Sequence, residues 1–319
     1  MNTLAERFER QKPPLNRRAF LRATAAAGAG WITWGKVLTA GPAASNELAA
    51  GNRVPRYRIA VCDWMILKRQ KLGALALAKE IGADGVEVDM GPLGERDTFE
   101  NQLAKSDVQQ QFLAKAAELK IEICSLAMSG FYAQSFAERP TFERMVGDCI
   151  ETMKAMKVRT AFLPLGVQGD LVKRPELWKP IVQRLKLIAP AAERAGLTIG
   201  IETSLPAREE ARLLDETGSS AIRSYLNFEN ALKAGRDVNL ELRQLGKERL
   251  GQIHCTDEDG VWLQDNQRLD LIQVKRTLDE MGWSGWLVVE RSRSAKDPRN
   301  VKWNFSANVS YLKRIFQPA

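Results

Sequence analysis

The sequence predicts an α/β protein, a single (β/α)8 TIM barrel, because three observations agree from Tyr57 onward. Short β-rich runs alternate with longer segments of helical period, which is the pattern of repeated βα units around a parallel sheet. Eight such runs are present, the number that closes a barrel. Several runs end in polar residues, although a barrel strand is buried on both faces and is expected to be apolar throughout.

The predicted elements follow one another at the spacing of βα units. Residues 106–109 form a candidate capping box that opens a helix running to Leu119, and Pro175 suits the first turn of the next long helix. Glycine commonly ends a helix, and the predicted ends are Gly82, Gly196 and Gly282. The predicted strands span residues 58–64, 85–90, 122–127, 160–165, 198–203, 224–228, 250–255 and 286–290.

We divide the chain into residues 1–50, a predicted export signal with its linker, and residues 51–319, a single barrel domain. The run from Arg17 and Arg18 through Ala-Phe-Leu to Arg22 resembles the twin-arginine translocation signal. The apolar stretch that follows is too weakly hydrophobic for a stable membrane span. The resemblance implies the twin-arginine translocase as a partner during export. The protein would then be periplasmic or remain membrane-anchored facing the periplasm; the alternative is a chance arginine pair in a disordered tail.

Composition, charge and cysteine content narrow the function classes. A content of 45% hydrophobic and 27% charged residues describes a soluble globular protein. Half of the net charge of +8 falls in residues 1–50 and the rest is spread without a basic run, so nucleic-acid binding is not favoured. The cysteines form no C-x-x-C pair, and we expect them to pack as small buried hydrophobes; they are Cys62, Cys124, Cys149 and Cys255.

Polar residues within the predicted strands mark one end of the barrel. Side chains alternate along a strand, so the valines beside Glu87 and Asp89 face the helices while these two carboxylates point inward. The same alternation aims further polar side chains at the carboxyl ends of the later strands, where barrel enzymes carry their active sites. Those side chains are Glu202, Asn227, His254 and Glu290.

Glu202, His254 and Glu290 together predict a site for one divalent cation. Buried carboxylates are costly without a compensating charge, and no inward-facing Lys or Arg is evident in the strands. Oxygen ligands with a single imidazole suit Mn²⁺, the expected metal, with Mg²⁺, Co²⁺ or Zn²⁺ as alternatives. The competing interpretation is a stabilising ion-pair network across the barrel mouth.

The segments that carry these residues resemble those of a known family. They are Ile-Gly-Ile-Glu-Thr around Glu202, Gln-Ile-His-Cys-Thr-Asp around His254 and Leu-Val-Val-Glu ending at Glu290. All three are similar to segments of the sugar phosphate isomerase/epimerase group of the xylose-isomerase-like barrel superfamily. Residues 226–235 also resemble the sixth-strand segment of that group, and the whole resemblance extends over residues 58–316.

The resemblance implies a metal-dependent isomerase or epimerase of a keto sugar. It implies one metal held by Glu202, His254, Glu290 and position 227, where Asn227 stands in place of the usual Asp; the amide oxygen can coordinate, but one negative charge is lost. Glu202 and Glu290 would act as the acid/base pair on opposite faces of a ketose carbon. The metal would stabilise the enediolate formed when a proton is removed beside the carbonyl.

The expected substrate is a non-phosphorylated keto sugar or glycoside, because no phosphate-binding cluster is evident. The basic residues noted near the site are Arg291 and Arg293, after the eighth strand. Aromatic rings can stack on a sugar face, and Trp64, Trp262 and Trp286 are available for this. The candidate substrate contacts are Trp64, Glu87, Asn230, Asp257 and Arg291.

Several alternatives remain open at the level of sequence. A lyase that eliminates from a 3-keto glycoside would use the same proton abstraction, and a non-catalytic sugar-binding barrel would explain the departure at Asn227. The DNA-repair endonucleases of the superfamily need three zinc ions and several histidines, and xylose isomerase itself needs two metals and a catalytic His. A chain whose single histidine is His254 fits neither. Homo-oligomerisation is left open.

Overall fold

The structure is a computed structural model, and it describes residues 55–318. Within this range eight parallel strands form a closed barrel in chain order, with β8 returning to pair with β1. This confirms the predicted fold class. The predicted export signal at residues 1–50 lies outside the described residues. The strands are β1 Tyr57–Cys62, β2 Gly85–Asp89, β3 Glu122–Ala127, β4 Thr160–Pro164, β5 Thr198–Glu202, β6 Ile222–Asn227, β7 Leu250–His254 and β8 Gly285–Val289.

Helices connect successive strands on the outside of the barrel, and two of them lie between β6 and β7. The last helix follows β8 and contacts both β1 and the first helix, so it closes the outer ring. No helix within residues 55–318 is long and apolar enough to cross a membrane. The helices are α1 Gly73–Ile81, α2 Ser106–Leu119, α3 Phe142–Met156, α4 Trp178–Ala195, α5 Ala207–Thr217, α6 Phe228–Lys233, α7 Val238–Leu245, α8 Leu271–Met281 and α9 Val301–Phe316.

The predicted helix ends are largely correct, with one wrong capping assignment. Gly82, Gly196 and Gly282 each follow a helix in the left-handed conformation, as expected of a C-terminal glycine. Helix α2 spans Ser106–Leu119 as predicted, but Lys105 takes the capping position and no side chain accepts a hydrogen bond there. The predicted capping box is therefore wrong. Pro175 opens a short 3-10 turn, Pro175–Leu177, that leads into α4.

The barrel interior is filled from its amino-terminal end by apolar and aromatic side chains. Trp286 closes this end, with the guanidinium carbon of Arg58 3.9 Å from its ring centre. Further up, Phe162 packs edge-on against Tyr225 and His254, at 4.8 Å and 4.9 Å between ring centres. The rings of Phe162 and Tyr225 therefore lie directly beneath the polar residues at the mouth of the barrel. All four cysteines are buried and unpaired, as expected of core packing.

Candidate active site at the barrel mouth

Adjacent strands bring four polar residues to the same end of the barrel. Glu202, Asn227 and His254 are the last residues of β5, β6 and β7, and Glu290 directly follows β8. Because the strands are parallel, their carboxyl ends meet at one rim, and Asn227 pairs in register with His254. Each of the four residues is at most 4% exposed. The inward orientation predicted from strand alternation therefore places them together.

The two carboxylates and the imidazole form a compact cluster. His254 Nδ1 lies 3.0 Å from Glu202 Oε2 and 3.7 Å from Glu290 Oε2. One ligand atom from each of Glu202, His254 and Glu290 lies within 4.8 Å of the others. The chemistry of this donor set, two carboxylate oxygens and one imidazole nitrogen, fits a single divalent cation.

Asn227 lies between the two carboxylates but presents its nitrogen to them. Its Nδ2 donates to Glu202 Oε2 at 2.9 Å and to Glu290 Oε2 at 3.1 Å. Its Oδ1 accepts from the backbone N–H of Glu229 at 3.0 Å and so caps the start of α6. In this arrangement the donor atoms that face one another come from Glu202, His254 and Glu290, and the amide bridges the carboxylates as a cation would.

Glu87 lies beneath this cluster and does not line the cavity above it. Its Oε1 accepts from His254 Nε2 at 3.0 Å, and its Oε2 accepts from the hydroxyls of Ser125 and Tyr225, both at 2.6 Å. Glu87 is fully buried, so the structure separates it from any substrate in the cavity, in contrast to the contact expected from the sequence. By accepting from Nε2 it leaves Nδ1 directed at Glu202 and Glu290.

The cluster is electrostatically coupled. Burial alone would lower the pKa of His254, but the carboxylates of Glu290 and Glu87 raise it well above its usual value. Burial raises the pKa of Glu290 to about 6 and Glu202 adds to this, although His254 opposes it. The imidazolium of His254 thus supplies positive charge beside the buried carboxylates.

A cavity of about 650 Å³ opens directly above the cluster. Three of the predicted substrate contacts line it, namely Trp64, Asn230 and Arg291, together with Glu202, Asn227 and Glu290. Asp257 does not: Arg268 donates to its Oδ1 at 2.6 Å and to its Oδ2 at 3.0 Å, which occupies the carboxylate in a loop contact. The other two tryptophans considered for stacking are also elsewhere, because Trp262 donates to Asn304 and Trp286 closes the opposite end.

Comparisons with known proteins agree with this architecture. A model of the xylose isomerase-like TIM barrel family matches residues 75–313. The chain belongs to this family. A curated relative, 2-epi-5-epi-valiolone 7-phosphate 2-epimerase of Actinoplanes sp., is 23% identical over 205 residues, which cover 63% of this chain and 72% of the relative.

Solved structures of similar fold include several sugar epimerases. D-psicose 3-epimerase from Clostridium cellulolyticum H10 has a TM-score of 0.63 at 12% identity, covering 81% of this chain and 99% of its own. The 3-keto-D-glucoside 4-epimerase of E. coli has a TM-score of 0.63 at 15% identity, with the same coverage. L-ribulose 3-epimerase has a TM-score of 0.63 at 15% identity, covering 82% of this chain and 95% of its own. At these identities the likeness is one of fold.

This xylose isomerase-like barrel also places residues at the cavity that sequence reasoning missed. Tyr132 donates its hydroxyl hydrogen bond to Glu202 Oε1 at 3.2 Å. The cavity is further lined by the basic residues Arg69, Lys173 and Lys233 and by the acid Glu229. Lys233 follows Glu229 by four residues within α6, a helical spacing that could have indicated the pair. The others lie on connecting segments, which carry no period from which their direction can be predicted.

Proposed function

We propose that this protein is a metal-dependent sugar isomerase or epimerase that acts on a non-phosphorylated keto sugar or glycoside through an enediolate. The observation that carries the proposal is the pair of buried carboxylates, Glu202 and Glu290, held by one amide nitrogen of Asn227 at the base of an open cavity. The chain shares its family and fold with sugar epimerases. Two neighbouring carboxylates at the base of a cavity suit a reaction in which one group removes a proton and the other returns it.

In the proposed reaction one carboxylate removes the proton beside the carbonyl and the other delivers a proton to the opposite face or to the neighbouring carbon. Burial raises the pKa of Glu290 to about 6, closer to neutral pH than the pKa of an ordinary glutamate, which suits a group that both takes and returns a proton. Tyr132 and Asn227 contact different oxygens of Glu202, so they fix the direction of its carboxylate. Trp64 and Tyr132 border the cavity beside this carboxylate.

Glu202, His254 and Glu290 would hold the metal, for which we propose Mn²⁺, with Mg²⁺, Co²⁺ and Zn²⁺ as alternatives. A bound cation stabilises the negative charge that develops on the carbonyl oxygen when the neighbouring proton leaves. His254 is prepared for this role because Glu87 accepts from Nε2 and leaves Nδ1 facing both glutamates.

The charges around the cavity support an uncharged substrate. Arg291 Nε lies 3.0 Å from Glu229 Oε2, and Lys233 Nζ lies 2.5 Å from Glu229 Oε1, so one carboxylate serves both cations. Lys173 lies 3.4 Å from Asp170. Each of these three basic residues lies beside an acid, which reduces the positive charge that the cavity offers and favours a keto sugar or glycoside without a phosphate group.

Solvent deuterium incorporation tests the reaction. The purified protein, loaded with Mn²⁺, is incubated in D₂O with D-fructose, D-tagatose or methyl 3-keto-D-glucopyranoside and followed by NMR. We expect deuterium beside the carbonyl, and its loss in Glu202→Gln, because that variant keeps the shape of the side chain but removes the carboxylate that would act both as base and as metal ligand. The product shows whether the reaction is isomerisation, epimerisation or elimination. Bound metal without exchange into any of these sugars would contradict the proposal.

Metal dependence is tested separately. Chelation is expected to abolish exchange, and readdition of Mn²⁺ is expected to restore it. We expect His254→Ala to weaken Mn²⁺ binding at least about tenfold, because it removes one of the three proposed ligands, an imidazole that Glu87 holds in position. Electron paramagnetic resonance of free Mn²⁺ measures the affinity without turnover. An unchanged affinity would exclude the proposed ligand set.

We further propose export by the twin-arginine route, on the basis of the run from Arg17 to Arg22. Residues 1–50 fused to a fluorescent protein that folds before export are expected to direct it to the periplasm. Replacement of Arg17 and Arg18 by lysine is the matched control, because it retains the charge and removes the arginine pair. Export that persists in the double-lysine variant would contradict the proposal.

A further inference from the structure

Arg69 is held at one edge of the cavity by contacts to a single nitrogen. Its Nη1 donates to the backbone oxygen of Gly91 and to the hydroxyl of Ser129, both at 2.9 Å, and forms an ion pair with Asp89. Asp89 is fully buried and also accepts from Ser129 Oγ at 2.5 Å. One end of the guanidinium is therefore fixed by three groups, none of which belongs to the acid/base cluster.

The other edge of the guanidinium is available to the cavity. Among residues 55–318, no side chain or backbone group accepts a hydrogen bond from Nε or Nη2 of Arg69, whose side chain is 26% exposed and lines the cavity. The N–H bonds of a planar guanidinium point in fixed directions, so the contacts that hold Nη1 also fix the directions of the N–H bonds of Nε and Nη2. The conformational entropy of a long side chain has thus been lost before any ligand arrives.

A short turn links Arg69 to the acid/base cluster. The 3-10 turn Ser129–Tyr132 contacts Arg69 through Ser129 at its first residue and Glu202 through Tyr132 at its last. A 3-10 helix rises about 2 Å per residue, so Ser129 and Tyr132 are about 6 Å apart along the backbone of the turn. Arg69 and Glu202 both line the cavity. A sugar that places its reacting carbon at Glu202 would therefore extend toward Arg69.

We propose that Arg69 is a substrate-binding residue, whose Nε and Nη2 donate to uncharged hydroxyl or ring oxygens of the sugar at a distance from the reacting carbon. The inference rests on the proposed function and adds a specificity determinant to it. The charge of Arg69 is already balanced by Asp89, so its free donors suit neutral oxygens more than a phosphate group.

Arg69→Lys is the decisive variant, because a lysine keeps the charge that Asp89 requires but has one donor nitrogen in place of the three of the guanidinium. Binding is measured by calorimetry with the full chain carrying Glu202→Gln, so that no turnover intervenes, at a Mn²⁺ concentration shown to saturate this variant, in which one proposed ligand is changed. The probes are D-fructose, methyl 3-keto-D-glucopyranoside and D-fructose 6-phosphate. We expect Arg69→Lys to weaken binding of at least one neutral sugar about tenfold or more, with Mn²⁺ affinity unchanged and the melting temperature retained.

Arg174→Lys is the matched control, since Arg174 is also held by carboxylates, those of Glu138 and Glu176, but does not line the cavity. Sugar binding that is equal in the Arg69→Lys protein and its parent would overturn the inference, as would a loss of Mn²⁺ affinity, which would show that Arg69 acts through the metal cluster. Tighter binding of D-fructose 6-phosphate than of D-fructose, lost in Arg69→Lys, would overturn the preference for neutral oxygens.

The two proposals fail in different ways. Binding that depends on Arg69 in a wild-type protein without deuterium exchange would leave the sugar site in place and remove the proposed reaction. Exchange in the wild-type protein with binding that is indifferent to Arg69 would do the reverse. Failure of the parent to bind either neutral sugar would contradict both.

Discussion

Two layers of polar side chains fill the upper half of the barrel, and they use similar groups differently. In the lower layer, which consists of Glu87, Ser125, Tyr225 and Gln252, the carboxylate accepts from two hydroxyls and from the imidazole of the layer above, and Gln252 Nε2 donates to both hydroxyl oxygens. In the upper layer, which consists of Glu202, Asn227, His254 and Glu290, two carboxylates share one amide nitrogen and one imidazole.

The difference separates a structural network from a site. Glu87 is supplied with donors on both oxygens and sealed from solvent, so it needs no further ligand. Glu202 also has donors on both oxygens, but within residues 55–318 Glu290 accepts one side-chain hydrogen bond, from Asn227. Both carboxylates border the cavity, so a cation and a substrate can still reach them. His254 belongs to both layers, because one ring nitrogen contacts each.

The largest effect is expected for Glu290→Gln in the upper layer. If Glu290 transfers a proton at the reacting carbon, its amide cannot do so, and we expect deuterium exchange to fall about 10³-fold or more, on the order of 4 kcal/mol of barrier. The rate of exchange by NMR measures this. Asp170→Asn removes another carboxylate of the same cavity and is expected to change the rate only a few-fold, about 1 kcal/mol or less. Equal losses in the two variants would mean that the upper layer has no special role.

The contrast between the layers also explains how much could be predicted from the sequence. Side chains alternate along a barrel strand with period two, so polar residues near the carboxyl ends of the predicted strands could be placed at the same end of the barrel. These residues are Glu202, Asn227, His254 and Glu290. The pattern could not distinguish Glu87 from them, since a carboxylate one layer deeper has the same alternation. Depth follows from the register between strands, which is set by tertiary pairing and by the irregularity between Val86 and Glu87.

Residues on connecting segments could not be placed from the sequence for a different reason. Arg69 and Tyr132 reach the cavity through a loop and a 3-10 turn, and neither follows a repeat from which direction can be calculated. Asp257 illustrates the reverse error. Its position after β7 suggested a substrate contact, but Arg268 and Asn266 occupy its carboxylate. The partner of a loop side chain depends on where another loop folds, which no local pattern records.

Another buried carboxylate lies outside both polar layers. Glu210 on α5 is 2% exposed and accepts from Thr203 Oγ1 at 2.5 Å, and burial raises its pKa to about 7. Between the usual glutamate pKa and about 7, the folded protein binds a proton that the unfolded chain has released. Its contribution to stability is therefore fully present at low pH and is lost as the pH rises through about 7.

We expect Glu210→Gln to remove this pH dependence, which amounts to roughly 3 kcal/mol. The free energy of unfolding in urea at pH 5 and pH 8 measures this dependence. The wild-type protein should lose stability between pH 5 and pH 8 by more than the variant does, so the difference between the two proteins should shift in favour of the variant at pH 8. Glu209→Gln is the control, because Glu209 is exposed on the same helix. Parallel pH profiles of Glu210→Gln and wild type would contradict the raised pKa. Unchanged deuterium exchange would separate Glu210 from the site.

Glu87→Gln breaks the connection between the layers. The amide of glutamine places a donor against groups that themselves donate, so His254 loses its fixed orientation. We expect Mn²⁺ affinity, measured by electron paramagnetic resonance, to fall about tenfold or more although Glu87 is not a ligand. Tyr225→Phe removes a different donor to the same carboxylate and is expected to have a much smaller effect. Equal Mn²⁺ affinity in Glu87→Gln and the wild-type protein would reduce the lower layer to simple packing.

Asn227→Asp adds a negative charge to the upper layer and is expected to strengthen metal binding. An aspartate at this position can still accept from the backbone N–H of Glu229, so α6 keeps its cap, while the donor shared by Glu202 and Glu290 is replaced by a third negative charge. We therefore expect the metal-free protein to melt at a lower temperature and Mn²⁺ to bind several-fold more tightly, up to about tenfold.

Asn230→Asp is the matched control for this gain, because it adds the same charge to the wall of the same cavity. Asn230 donates to the backbone oxygen of Thr203 and makes no hydrogen bond to either glutamate of the upper layer. If both aspartates tighten Mn²⁺ equally, the gain reflects the charge of the cavity as a whole. A gain confined to Asn227→Asp would mean that the amide of Asn227 bridges the carboxylates at the point where the metal binds, and that metal affinity in this barrel is limited by one missing charge.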